Sequence, residues 1–390
     1  MTKRVLLVGS SFSAVPIFFK LKERGFHVSV CGNVSGDPCH KYADESFFFD
    51  YSQREKLLEL VESQTFDYLV PSCNDYSYMS CAWVASHFDF PGYDSYKTAL
   101  ILHNKSDFRE FTSEYNLPAP RALKTSDIDN LSVGGFEFPL LVKPVDSFSG
   151  RGVIKVDSAE GLATACDVSV GSSRAKSLVI EEFVSGGLHS HSAFIKDGKI
   201  VVEFFVDEFC TVYPYQVNCS NHPSKLSDGV QRNISAAMSR LVGLLQLSDG
   251  LLHTQLIVEE DKFWIVECMR RCPGDLYGYL VDMSAGIQYT DLLVRSYIAE
   301  DLPGRVPLGV YKNCVRHTVS SAEPINFFSY SHAIPGEDVW VVPLKNSGEE
   351  LGVAPYDKLA IIFSEVGSYE AMLELSPVLD SLISIKPVEG

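Results

Sequence analysis

Leu140-Leu141-Val142-Lys143-Pro144-Val145-Asp146-Ser147-Phe148-Ser149-Gly150-Arg151-Gly152-Val153 is the stretch whose reading decides the fold. Three apolar residues lead into a lysine, a loop of small residues follows, and a second apolar run extends from Val153 to Val156. The pattern predicts a β-hairpin with Lys143 at the end of its first strand. Such a loop can fold over a triphosphate, with its N–H groups cradling the phosphates and the ammonium sitting on them. A Walker-type loop requires a helix next; a strand follows here, so that reading fails on context. Alone, the same residues also describe an ordinary hairpin loop.

Downstream, Val179-Ile180-Glu181-Glu182-Phe183-Val184-Ser185-Gly186 is an apolar strand ending in carboxylates at a chain reversal. Backbone groups of such a hinge can pair with a purine edge while Phe183 and Val184 supply an apolar wall. A hairpin of about seven-residue strands then flanks Asp197-Gly198, a turn-favouring pair. Ser227 or Asp228 can cap a helix running to Leu245, with Ile234, Met238, Leu241 and Leu245 on one face. The next hairpin pairs Leu251-Val258 with Lys262-Cys268 across an acidic turn. Antiparallel pairing can bring Gln255 and Glu267 together on one face, where their oxygens could hold Mg²⁺. Arg270 and Arg271 stand just beyond, placed to steady a phosphate or acyl phosphate, and Asp275 follows.

Upstream, residues 1–95 alternate short apolar runs with helical patterns, as parallel βαβ units do: Val5-Gly9, an amphipathic stretch closed by Gly25, Val28-Cys31, and Phe66-Val70. The loops Ser10-Ser11-Phe12 and Ser72-Cys73-Asn74-Asp75 fall at the carboxyl ends of the sheet, where open α/β sheets bind ligands. Asn74 and Asp75 are therefore candidate substrate contacts, and equally a turn cap. The first loop lacks G-x-G-x-x-G, so a dinucleotide site is not supported. Tyr96 to Leu117 reads as helical until Pro118 and Pro120 break it. Beyond Pro303 the chain reads as strands (Val310-His317, Val339-Val342, Leu359-Ser364) and a last helix near Ser368-Leu375.

Composition narrows the function classes. The 390 residues carry a formal charge of -17 from 33 Lys+Arg against 50 Asp+Glu, which argues against a nucleic-acid surface. Ten cysteines include no C-x-x-C and fit free buried thiols in a reducing compartment. No apolar run is long enough for a signal segment or a membrane span, so a cytoplasmic protein is expected.

A strand-end lysine, a glycine-rich hairpin, an E-E-F-V-x-G hinge and an E-x-x-x-R at the end of a second hairpin, in this order, resemble the ATP-grasp superfamily over residues 1–300. The resemblance implies an α/β and α+β chain: a Rossmann-like domain preceding the ATP-grasp fold at 1–95, a first subdomain at 96–185, a second at 186–300, and mixed β-rich elements at 301–390. It implies ATP and Mg²⁺ as cofactors, with Lys105, in His103-Asn104-Lys105-Ser106-Asp107, and Lys143 on the phosphates. Ser147, Ser149, Gly150 and Gly152 would form the loop over them; Glu181, Glu182, Phe183 and Val184 would line the adenine site. Glu267 and Gln255 would take the metal, Arg271 and Arg270 would assist phosphoryl transfer, His253 would contact the acyl phosphate, and Asn74, Asp75 and Asp275 would meet substrate. The implied activity is ADP-forming carbon–nitrogen ligation: a small carboxylate becomes an acyl phosphate and is joined to an amine. The partners are those small molecules, with no nucleic acid or membrane, and a homodimer is an open assembly state.

Three departures from the family pattern stand out. Gln255 replaces a metal-binding carboxylate, Met269 replaces an Asn, and Leu188 and His189 lie where a ribose-binding Glu is usual. They keep two alternatives open: a carboxyphosphate-using purine-pathway or carbamoyl-phosphate-like ligase, and a nucleotide-binding regulatory protein that lost turnover. Single residues also have plainer readings: Lys105 as a solvated helix lysine, Arg270-Arg271 as partners of surface acids, His253 as a core histidine. His189-x-His191 could face one side of a strand as a metal pair, but no third ligand stands at useful spacing.

Overall fold

The computed structural model describes residues 2–125, 133–307, 309–336 and 338–388. The N-terminal layer is a four-stranded parallel sheet in the order Glu45–Phe47, His27–Cys31, Arg4–Val8, Tyr68–Pro71. Val5 to Val8 are wholly buried, because helices Val15–Glu23, Arg54–Ser63 and Asp75–Ala85 cover the sheet and a parallel strand must then be apolar on both faces.

The helical stretch expected over 96–117 is two helices, Tyr96–His103 and Lys105–Glu114. Asn104 is extended between them, and its Oδ1 accepts the N–H groups of Ser106 and Asp107 at 3.0 and 3.2 Å. That cap ends one helix and starts the next, leaving Lys105 in the first turn of the second.

The quoted stretch forms the predicted hairpin: Leu140–Pro144 pairs antiparallel with Ile154–Val156. The sheet is completed by Leu178–Glu182 and Ala122–Thr125, and helix Leu162–Gly171, absent from the sequence reading, packs on it through Leu162, Ala165 and Cys166.

An eight-stranded sheet carries the rest. Its order is Lys262–Met269, Gly250–Glu259, Gly187–Lys196, Lys199–Phe209, Cys219–His222, Cys314–Val319, Ala360–Glu365, Val339–Pro343, antiparallel throughout. The last three strands continue the sheet begun at Gly187, so the expected division at residue 300 falls within it. Helix Asp228–Leu245, capped by Ser227, buries Ile234, Met238 and Leu241 against Leu252, Leu256 and Ile265 of this sheet. All ten cysteines are free, and all but Cys210 are buried. Among the described residues no helix is long and apolar enough to cross a membrane.

Candidate active site

Strand alternation builds the first wall of the site. Gln255 stands opposite Glu267 and His253 opposite Met269, so all four share the sheet face turned away from helix Asp228–Leu245. A bulge between Gln255 and Leu256 leaves Val266 extra, and its carbonyl accepts Arg109 Nη2 at 2.7 Å. The two hairpins and the N-terminal loops enclose one cavity of about 1010 Å³. Lining it are Asn74, Asp75, Lys105, Lys143, Ser147, Ser149, Gly150, Phe183, Val184, His253, Gln255, Glu267, Arg271 and Asp275. Lys143 and Glu267 thus share a cavity.

Its cations are mostly pre-paired. Lys143 Nζ donates to Glu181 Oε2 at 2.6 Å, and Arg109 Nε to Glu181 Oε1 at 2.9 Å. Burial would raise the Glu181 carboxyl, but the two cations outweigh it and hold it at about 2. Burial lowers the Lys143 ammonium, with Glu181 partly restoring it. Lys105 Nζ donates to the Ser147 carbonyl at 2.5 Å and lies 3.9 Å from Glu267, so the lysine also tethers the loop. Arg271 grips Asp75 in a two-point bond, Nε to Oδ1 at 3.0 Å and Nη2 to Oδ2 at 2.6 Å. Against the cost of burial, Arg271 and His103 hold Asp75 far below the usual carboxylate range. His103 Nε2 accepts the Arg270 N–H, which leaves Nδ1 to donate to Asp75 at 3.0 Å. Lys345 pairs with Asp357 at 2.8 Å and Lys155 with Asp157 at 3.2 Å.

Several expectations are corrected by placement. Arg270 is only 2% exposed and points away from the cavity: its Nε donates to Asp94 at 2.7 Å, and its terminal nitrogens donate to the Leu251 and Ser248 carbonyls at 2.6 Å. Alternation along Glu267–Arg271 puts Arg271 on the cavity face and Arg270 on the other. Glu181, fully buried, lies behind the wall as the counterion of Lys143 and does not line an adenine site. Glu182 turns outward to Arg121 at 3.1 Å. Gly152 sits outside the lining: its φ is +70° and a Cβ there would come 2.6 Å from the Ser172 side chain, so packing requires the glycine. Asn74 caps helix Asp75–Ala85, its Oδ1 accepting the Ser77 N–H at 2.9 Å and its amide donating to Tyr51 and Ser72. His253 is buried; burial first, then the Arg271 charge, lowers it to about 3, so it is a neutral imidazole with Nδ1 2.6 Å from Ser192 Oγ. His189 is held by Asp207 at 2.8 Å and His191 by Glu203 at 2.8 Å, so neither forms a metal pair.

The sequence reading missed Glu208. It lines the cavity from strand Lys199–Phe209 and accepts from Gln255 Nε2 at 3.0 Å. Burial, and then the nearby Asp275 charge, push its carboxyl up to about 7. The signal was available: Glu208, like Glu267, is a carboxylate in an apolar strand. Asp275 is itself held by Arg316, and Tyr215, Gln216 and Lys358 complete the far wall. Among the described residues no group of three His, Cys, Asp or Glu could hold a metal by itself. Glu267, with Gln255 opposite it across the strand pair, fits instead a site where Mg²⁺ would take one or two protein oxygens and the remainder from phosphates and water.

Comparison with known proteins identifies a domain family and a shared fold. Residues 136–276 match the ATP-grasp domain family. A formate-dependent phosphoribosylglycinamide formyltransferase of Prochlorococcus marinus is 27% identical over 363 residues, covering 90% of this chain and 91% of that protein. The fold is shared with the L-amino acid ligase of Bacillus licheniformis (TM-score 0.82, 16% identity, 100% and 99% of the two chains). It is also shared with phosphoribosylglycinamide synthetase of Anaerococcus prevotii (TM-score 0.78, 16% identity, 100% of both chains). The matched stretch, an ATP-grasp domain, carries the Lys143 loop, the Phe183 hinge and the Glu267 strand.

Proposed function

We propose that this protein is an ATP- and magnesium-dependent ligase that converts a small carboxylate to an acyl phosphate and joins it to an amine. The supporting observation is that Lys105, Lys143, the Ser147–Gly150 loop, Glu267 and Arg271 face a single cavity. The relatives' names point the same way, since a formate-dependent formyltransferase and an amino acid ligase both involve a small carboxylic acid.

In this reading the Lys143 and Lys105 ammoniums bind the phosphate oxygens of ATP, and the loop N–H groups close over them. Phe183 and Val184 form the adenine wall. Glu267 and the Gln255 carbonyl would hold magnesium, which would supply charge neutralisation at the phosphates. Arg271, fixed by Asp75, faces the phosphoryl group as it moves to the carboxylate oxygen, giving ADP and the acyl phosphate. The amine nitrogen attacks the acyl carbon, the bond to phosphate breaks with its electron pair, and the nitrogen loses a proton. His253, neutral and with Nδ1 engaged by Ser192, offers only Nε2 as a hydrogen-bonding partner, not a cation.

Lys143→Ala tests the scheme: nucleotide binding by calorimetry and phosphate release with pooled acids and amines should both fall, and parent-like values for both would remove the loop from it. A second reading, a nucleotide-binding protein without turnover, is favoured by Gln255 and Met269. It predicts tight ATP binding with no acid- and amine-dependent phosphate release.

A further inference from the structure

Two cysteines meet where the N-terminal layer abuts the end of strand Lys262–Met269. Cys73 lies in the loop 72–74, between strand Tyr68–Pro71 and helix Asp75–Ala85, and Cys272 lies between strand Lys262–Met269 and helix Tyr277–Ala285. Three contacts set these segments side by side. Arg271 holds Asp75 through two bonds, a Cβ on Gly274 would come 2.9 Å from the Cys73 carbonyl oxygen, and the Cys272 thiol donates to Cys73 Sγ. Cys73 directs its own proton to the Ser13 carbonyl at 3.1 Å. Both side chains belong to one apolar core, together with Tyr277 and Tyr289.

Two packed thiols can be plain core filling, since cysteine behaves as a small hydrophobe. The surroundings of this pair differ from plain core in two ways. Cys73 lines the large cavity while Cys272 stands behind it, so a small oxidant reaches one sulfur first. The Arg271 guanidinium is close enough to interact with both sulfurs, an electropositive setting of the kind that favours a reactive thiolate. Contact with Cys73, then burial, raises the Cys272 thiol well above its ordinary range, so Cys272 keeps its proton until its neighbour has reacted. A reachable sulfur touched by a shielded second thiol is the arrangement of an attacking and a resolving cysteine. Cys39, a third thiol of this core, turns instead to the Ser11 carbonyl at 3.8 Å.

We propose that Cys73 and Cys272 are a redox-modification site, forming a reversible disulfide that clamps the N-terminal layer to the strand end bearing Arg271. The co-reactant is a peroxide. The Cys73 sulfur attacks one peroxide oxygen, the O–O bond breaks, and the Cys73 proton completes the departing water, leaving a sulfenic acid. The Cys272 sulfur then attacks the Cys73 sulfur, the S–O bond breaks, and the departing hydroxide takes the Cys272 proton to leave as a second water. The two sulfurs lose two electrons, and one hydrogen peroxide is reduced to two waters. A thiol reductant reverses the bond by exchange. The covalent link falls one residue from Arg271 and two from Asp75, so it holds that ion pair together across the junction. It needs neither nucleotide nor substrate and stands apart from the ligase reading.

The test uses the full chain, reduced, desalted and then treated with hydrogen peroxide near neutral pH. Tryptic mapping without reductant should find the peptides of Cys73 and Cys272 joined, and dithiothreitol should separate them. The joined protein should melt about 5 °C above the reduced one, as for closing a loop of about 200 residues in the unfolded chain. In Cys272→Ser the reaction should stop at a Cys73 sulfenic acid, trapped by dimedone, while Cys73→Ser should leave Cys272 unlabelled. Dimedone on Cys272 in Cys73→Ser would overturn the order of attack. The site itself is overturned if Cys73 and Cys272 stay unjoined, if Cys73 joins Cys39 instead, or if the joined form melts below the reduced one. The parent protein alone supplies these three readings, whether or not the serine variants fold.

Discussion

Replacing Glu208 by Gln should make the protein more stable at pH 8 and nearly neutral in effect at pH 5. Glu208 is 6% exposed, and burial with the Asp275 charge raises its carboxyl from an ordinary 4.5 to about 7. Between those values the folded state holds a proton that the unfolded state has released, so stability falls as pH rises through the window. Above pH 7 the whole penalty applies, about 3 kcal/mol from the two values; at pH 5 it shrinks to under about 1 kcal/mol by the same relation. Glutamine carries no charge, and its carbonyl can still accept the Gln255 amide that Glu208 accepts at 3.0 Å. Urea titrations without nucleotide or metal, followed by the fluorescence of Trp264 and Trp340 on the two edge strands of the large sheet, measure the difference. A variant gaining the same amount at both pH values, or losing stability at pH 8, would refute the burial argument.

Glu181→Gln strips Arg109 and Lys143 of their shared carboxylate and should cost about 3–5 kcal/mol at neutral pH, as for other broken buried pairs. Because Glu181 is held at about 2, the parent's advantage is complete above pH 4.5 and declines as the pH falls toward 2, which acid titration of both proteins checks. Arg270→Met should destabilise by a similar about 3–5 kcal/mol, leaving Asp94 buried without its partner, while phosphate release per folded molecule stays at the parent value. Loss of turnover in that folded fraction would return Arg270 to the catalytic set. Asp75→Asn frees Arg271 from its two-point bond and should lower kcat about 10- to 100-fold, in line with a lost charge-assisted contact. KM for ATP should change far less, and an unchanged kcat would show that Arg271 needs no such anchor.

Much of this site was legible because its signals are local. The Lys143 hairpin, the Asp197-Gly198 turn, the Ser227 cap and the pairing of Gln255 with Glu267 follow from spacing along one or two strands. Even the split between Arg270 and Arg271 was implicit, since residues 267, 269 and 271 share a strand face and 270 does not. The break at Asn104 was also readable from a capping residue followed by Asp107 in the first turn. What could not be read was who pairs with whom over long separations. Glu181 looks like part of a binding hinge until Arg109, 72 residues away, is seen to claim it. Lys358 looks like a surface lysine until the sheet brings its loop against Phe12.

The same non-local pairing explains why the site cannot belong to the matched ATP-grasp domain alone. At the end of strand Lys262–Met269 two adjacent arginines leave on opposite faces, and each is claimed by an acid from the N-terminal part of the chain: Arg271 by Asp75, Arg270 by Asp94. Between those acids, Tyr78 hydrogen-bonds Asp94 and stacks on His103, which in turn donates to Asp75 and accepts from Arg270. The strand end is therefore fixed on both faces, and the helix opening at Lys105 begins two residues after His103. Moving the N-terminal layer would shift Arg271 and Lys105 together relative to Glu267. A domain cut at residue 136 would keep Glu267 and the Lys143 loop but lose what orients Arg271. The placement of Arg271 and Lys105 against Glu267 is thus a property of the junction between layers, with the ATP-grasp domain supplying one side of it.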